Sequence, residues 1–224
     1  GRDAERRRPG EQPDAEHREH FATPARAQQD GDREGDGTQD FPPVRNLHVG
    51  VVSSDMGVGG FIVPTCGSEP NFGDDGILIT EGRTSVSGCM ADYRAAWGAS
   101  FIEYLPATDP RSPAEVADEF TCVASLGTGG CGFEQQLESV LKALTPSTSS
   151  VAFNMGTRGQ GDGENAGFLR PDSVLAIILL TDEEDCSVAD PELFNPSTGT
   201  YPGDFNLRCF LYPAAVQPLS RYVS

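Results

Sequence analysis

Val174 to Leu180 is an unbroken apolar run, Val-Leu-Ala-Ile-Ile-Leu-Leu, and it ends directly in Thr181-Asp182-Glu183-Glu184-Asp185. Continuous apolar character without alternation is the pattern of a strand covered on both faces, as in a mostly parallel sheet. The run therefore predicts a central strand of an α/β fold. Its acidic end would lie at the edge of the sheet where ligands bind in open α/β folds.

Flanking segments supply helices for such a sheet. Ser112-Pro-Ala-Glu115 combines an N-cap Ser, Pro at the first helical position and a Glu that closes a capping box. Val116, Phe120 and Val123 come next on one face. From about Gly132 to Leu144, Phe133, Leu137, Val140, Leu141 and Leu144 recur at helical spacing. Leu47 to Ser53 reads as a strand that turns at Gly57-Val-Gly-Gly60 and returns through Phe61-Ile-Val63 as a hairpin. Phe101 to Leu105 fits either a short strand or a helix end, and a short helix is expected near Leu219 to Val223. His48, alone in its neighbourhood, reads as a strand or surface histidine.

Residues 1–40 hold Phe21 as their only large apolar side chain. They cannot bury enough surface to offset the entropy of ordering, so a disordered acidic tail carrying Arg6-Arg7-Arg8 is expected, with the folded domain over 41–224. Asp32, Glu34, Asp36 and Asp40 alternate as in a calcium loop. Pro43 stands at the twelfth position, where a bidentate Glu belongs, and no helical pattern flanks the loop. The chain begins with Gly and is expected not to be a complete translation product.

The formal net charge of -18 disfavours nucleic acid and anionic membrane as partners. No apolar stretch reaches the ~20 residues of a membrane span. Six cysteines without a CxxC pair, beside three histidines, favour disulfides over zinc. Fifteen connectivities are open to six cysteines. The simplest pairs neighbours: Cys66 with Cys89, Cys122 with Cys131 and Cys186 with Cys209. An oxidising compartment is then expected.

Leu47 to Asp55, Gly127 to Leu141 and Ala176 to Ser187 together resemble a von Willebrand factor type A domain of the cysteine-containing kind in exported bacterial proteins. The resemblance covers 41–224. It implies a doubly wound, mostly parallel α/β sheet flanked by helices, incomplete here and carrying long disulfide-stapled loops. It also implies an adhesive module or lipoprotein of the cell envelope or surface that binds an unidentified protein partner and is not an enzyme. Family members often hold one divalent cation at the sheet edge. Thr128 matches the family's second ligand element and Asp182 its third, with Glu183 where Gly is common. The first element, Asp-x-Ser-x-Ser, and the last strands have no counterpart, so the resemblance implies an incomplete adhesion site, with Mg²⁺ or Ca²⁺ held in a full-length protein. Ser53, Ser54 and Asp55 are the nearest substitutes for the missing ligands. The alternatives are a secreted hydrolase using the cluster Asp182, Glu183, Glu184 and Asp185, whose neighbouring charges would split into acid and base, and a purely structural envelope protein.

Overall fold

The computed structural model describes residues 44–67 and 72–223. The chain divides after Val44 into two units, and among the described residues every helix and strand belongs to the second, Arg45–Ser224. The acidic loop of Asp32, Glu34, Asp36 and Asp40 and the expected disordered tail lie outside the described residues.

The expected doubly wound sheet does not form. The described residues contain one two-stranded antiparallel sheet, β1 (Leu47–Val49) with β2 (Ile102–Tyr104), paired Leu47 to Tyr104, His48 to Glu103 and Val49 to Ile102. The return arm anticipated at Phe61 to Val63 is displaced by β2, whose Glu103 is 55 residues away from His48 in sequence. A side-chain pair locks this register: His48 Nε2 meets Glu103 Oε1 at 3.3 Å, while His48 Nδ1 meets the Phe168 carbonyl at 2.8 Å. The histidine is thus a strand residue, its ring 4.6 Å from that of Phe101.

Among the described residues four helices and several single 3-10 turns accompany the sheet: α1 (Arg94–Trp97), α2 (Pro113–Ala124), α3 (Gln136–Leu144) and α4 (Arg208–Leu211). The capping box of α2 forms as the sequence dictates, with Glu115 N donating to Ser112 Oγ and Ser112 N donating to Glu115 Oε2. Val116 and Val123 are buried, while Phe120 stays largely exposed. Helix α3 is shorter than its periodicity predicts and buries its polar side, Gln136, Glu138, Ser139 and Lys142. Leu137, Val140, Leu141 and Leu144 are only half-buried.

Ion pairs explain that inversion. Lys142, 1 % exposed, pairs with Asp75 and donates to Thr157 Oγ1 at 2.8 Å. Asp75 takes φ 54°, a left-handed conformation that Asp tolerates better than most residues, and so presents its carboxylate to the ammonium. On the same helix Glu138 receives Arg221 through two bonds of 2.8 and 2.7 Å, and Tyr222 at 2.9 Å. Burial, then the Glu138 charge, pushes the Tyr222 phenol well above its ordinary value. Lys142 Nζ and the Arg221 guanidinium each stand 5.4 Å from the Phe153 ring, within cation–π range. Buried charges are tolerated only when paired in this way.

Two apolar clusters hold the molecule. The larger gathers Val58, Val63, Phe133, Val188, Leu193, Phe194 and Ala215; the smaller gathers Tyr93, Cys122 and Val123, with Trp97 against them. Disulfides run through both. Their pairing is Cys66–Cys131, Cys89–Cys122 and Cys186–Cys209. The neighbour rule therefore fails for Cys66–Cys89 and Cys122–Cys131, because the long excursion 66–89 folds onto α2 and the loop preceding α3 instead of closing on itself. The loops span 65, 33 and 23 residues. In the chain-entropy account they contribute about 4.3, 3.7 and 3.4 kcal/mol. With so little regular structure, these covalent links take the place of a sheet.

The Gly-rich segment 158–165 packs inward in part, at Gly159 and Asn165. Asn165 is buried, donates to the carbonyls of Gly76 and Ala143 at 2.8 and 3.1 Å, and accepts the Leu78 N–H at 2.9 Å. A Cβ at Gly161 would lie 2.6 Å from the Leu144 carbonyl oxygen, so this close approach requires glycine.

Candidate acid-rimmed cleft and apolar ledge

The run 174–180, expected as the central strand, lies on the surface. Val174, Ile178 and Leu180 are 97, 82 and 93 % exposed, against 44, 52 and 48 % for Leu175, Ile177 and Leu179. Exposure alternates with a period of two, the signature of an extended chain lying with one face toward the body. None of the backbone N–H or C=O groups from Val174 to Leu180 is hydrogen-bonded among the described residues. The expected central strand does not form: the segment pairs with no strand of the described residues, and its outer face is uncovered among them.

At Thr181 the chain reattaches. Gln136 Nε2 donates to Thr181 Oγ1 at 2.7 Å, and Glu183 N donates to the same oxygen at 3.1 Å. Asp185 then turns away from solvent: its Oδ1 accepts the Leu137 N–H at 2.9 Å and the Ser187 hydroxyl at 2.9 Å. Ser187 Oγ accepts the Glu138 N–H at 3.1 Å. The N-cap of α3, Gln135, makes no capping bond with its own side chain. Asp185 and Ser187 satisfy two of the donors that a helix leaves open at its start, with the carboxylate at the favourable end of the helix dipole.

Between this turn and α4 opens a cleft of about 300 Å³. Cys186 and Cys209 form part of its wall, Phe133, Leu207 and Phe210 give it apolar surface, and Glu134, Glu183 and Glu184 rim it with carboxylates. The Glu134 carbonyl accepts the Cys186 N–H at 2.7 Å, which ties the segment before α3 to the turn at Cys186. Chemically the cleft offers apolar contact beside negative charge. That combination suits an apolar group next to a cation.

The acidic quartet is therefore divided. Glu183 and Glu184 face the cleft, Asp185 is engaged by helix donors, and Asp182 is exposed. Thr128 lies in the exposed loop 127–130 before α3. Asp55, from the substitute group, is tied into turns: its Oδ1 accepts the Gly57 N–H at 2.9 Å, and Ser53 Oγ donates to Asp74. Among the described residues no three His, Cys, Asp or Glu side chains converge at metal-binding spacing. Asp182 and Thr128 by themselves supply fewer than the about six oxygens that a hard cation takes.

Sequence reasoning missed Phe133, Glu134, Leu207 and Phe210. A signal was present, since each lies within three residues of Cys131 or Cys209, and residues beside half-cystines are carried wherever the bridge goes.

No family model, curated protein or solved structure matches the chain. Three intramolecular disulfides define a protein of an oxidising compartment. No helix among the described residues is long and apolar enough to cross a membrane.

Proposed function

We propose that this chain is a binding module of an exported or envelope-associated protein, and that it recognises a polypeptide partner through the ledge 174–180 and the adjoining acid-rimmed cleft. One observation carries the reading: a run of large apolar side chains is exposed on both of its faces and leads straight into the cleft. Contiguous exposed apolar surface bordered by polar groups marks interaction sites. The hydrolase alternative is less well supported. Asp185 is occupied in capping α3, and the six cysteines are all bridged, leaving no thiol nucleophile.

The test is site-specific photocrosslinking in the exported protein. A crosslinker at Ile178 or Glu183 should trap one discrete protein, and Ile178→Asp should prevent capture by the Glu183 probe. A crosslinker at Val223, exposed but remote in sequence, serves as control. Capture from Val223 alone would refute the reading.

A further inference from the structure

Resting on that reading, we infer the mode of recognition: the ledge takes an extended peptide as an added antiparallel strand, and that peptide carries basic residues immediately before an apolar segment.

Three observations lead there. Side-chain exposure from Val174 to Leu180 alternates as it does along an extended chain, and the backbone N–H and C=O groups of this segment are unpaired among the described residues. Such a row is a template for a further strand, which supplies the missing bonds through its own main chain. Seven residues at ~3.3 Å each give a ledge of roughly 20 Å, the length of an ordinary strand. Alternate side chains then set specificity, with Val174, Ile178 and Leu180 on the outer face.

Charge selects the occupant. The ledge runs into Asp182, Glu183 and Glu184, and Glu134 lines the same cleft as the last two. An antiparallel strand, the commoner and slightly more stable arrangement, brings its N-terminal end to these carboxylates. Lys or Arg preceding the apolar segment would be neutralised there. A second copy of this chain fits poorly. Each copy carries a net charge of -18, and two-fold pairing centred on Ile177 sets Asp172 of one strand opposite Asp182 of the other. Like charges directly opposed across strands are destabilising, and the Arg170–Glu184 pairs made in the same register leave that repulsion in place. The chain's own residues 1–40, with Phe21 as their only large apolar side chain, cannot supply the apolar face.

The probes are synthetic peptides offered to the oxidised full chain: Lys-Arg-Val-Thr-Ile-Thr-Val-Thr, its reversed sequence, and a version N-methylated at alternate residues on the edge that pairs. The first should bind and slow amide hydrogen exchange at alternate positions of 174–180 at least tenfold. The N-methylated peptide should lose at least tenfold in affinity, since its donors are gone while its side chains remain. The reversed peptide should bind more weakly. Glu183→Gln with Glu184→Gln should weaken the basic peptide about tenfold at low salt and leave a neutral Ser-Ser analogue unchanged. Equal binding of the methylated and unmethylated peptides, or no change in exchange at 174–180, overturns strand addition, even while a crosslink from Ile178 upholds the ledge as a binding surface. Concentration-dependent self-association that the peptide cannot displace overturns the choice of occupant.

Discussion

The Asp185 carboxylate accepts the Leu137 backbone N–H at 2.9 Å across 48 residues of sequence, so a loop acid, not a neighbour in the chain, closes the N-terminus of α3. Replacing an N-capping acceptor costs about 0.5–2 kcal/mol. Asp185→Ala should lower stability by about that amount in urea unfolding, and Asp185→Asn should recover part of it. Because the same turn sets Glu183 and Glu184 at the cleft, the alanine variant should also bind a basic peptide more weakly. An unchanged midpoint would show that water caps the helix equally well.

Burial decides the outcome at Lys142. Asp75→Ala leaves an ammonium buried with only Thr157 and the Phe153 ring beside it, and should cost about 3–5 kcal/mol. Adding Lys142→Met should return most of that loss, since the charge left unpaired is then removed. If the double variant proves no more stable than Asp75→Ala alone, the pair is not what orients the polar side of α3 inward.

Acid should destabilise the fold through one identifiable pair. Arg111 bonds both Asp109 oxygens through its side chain, at 2.9 and 2.7 Å, and its backbone N–H adds another bond, holding the Asp109 carboxyl at about 2 against the usual 3.8. A carboxyl with a lower pKa in the folded state stabilises it above the unfolded value. Its contribution is complete above about pH 4–5 and is lost as pH falls toward 2. Glu103 and Asp162 are shifted in the same direction, by His48 and by the Ser147 backbone N–H respectively. Asp109→Asn should lower the melting temperature at pH 7 and flatten its fall between pH 5 and 2, because the contribution that acid removes is already missing. An undiminished acid slope in that variant would assign the effect to other carboxylates.

Millimolar Mg²⁺ or Ca²⁺ should raise stability by no more than about 0.4 kcal/mol, the RT ln 2 expected for a ligand at its dissociation constant. Asp182 and Thr128 are both exposed, and among the described residues no three His, Cys, Asp or Glu side chains come together. A clear rise in melting temperature that Asp182→Ala removes would reveal ligands beyond those recognised.

Local features are the ones legible in the sequence. The capping box of α2 closes within four residues, and Cys186–Cys209 closes one loop, so neither depends on a distant segment. The pairing of β1 with β2 needs a partner more than fifty residues away, in competition with a nearer hairpin that loses. Periodicity misplaces the buried face of α3 because it weighs apolar residues, whereas Asp75 and Arg221, distant in sequence, draw Lys142 and Glu138 inward. The run 174–180 misleads for a related reason. Apolar continuity reports that a segment needs covering on both sides, and it does not say which chain provides the cover.

The nested pairing of Cys89–Cys122 inside Cys66–Cys131 bears on how the molecule is made. A chain delivered to an oxidising compartment N-terminus first presents Cys66 and Cys89 together before Cys122 or Cys131 has arrived. The earliest available bridge is then the wrong one, and the native set is reached only by thiol–disulfide exchange through mixed intermediates. Maturation should depend on a disulfide isomerase. In a secretion host lacking that enzyme, non-reducing peptide mapping should recover Cys66 joined to Cys89, while Cys186–Cys209, whose partners arrive in order, forms regardless. Equal yields of the native bridges in both hosts would mean that folding, not order of arrival, selects the partners.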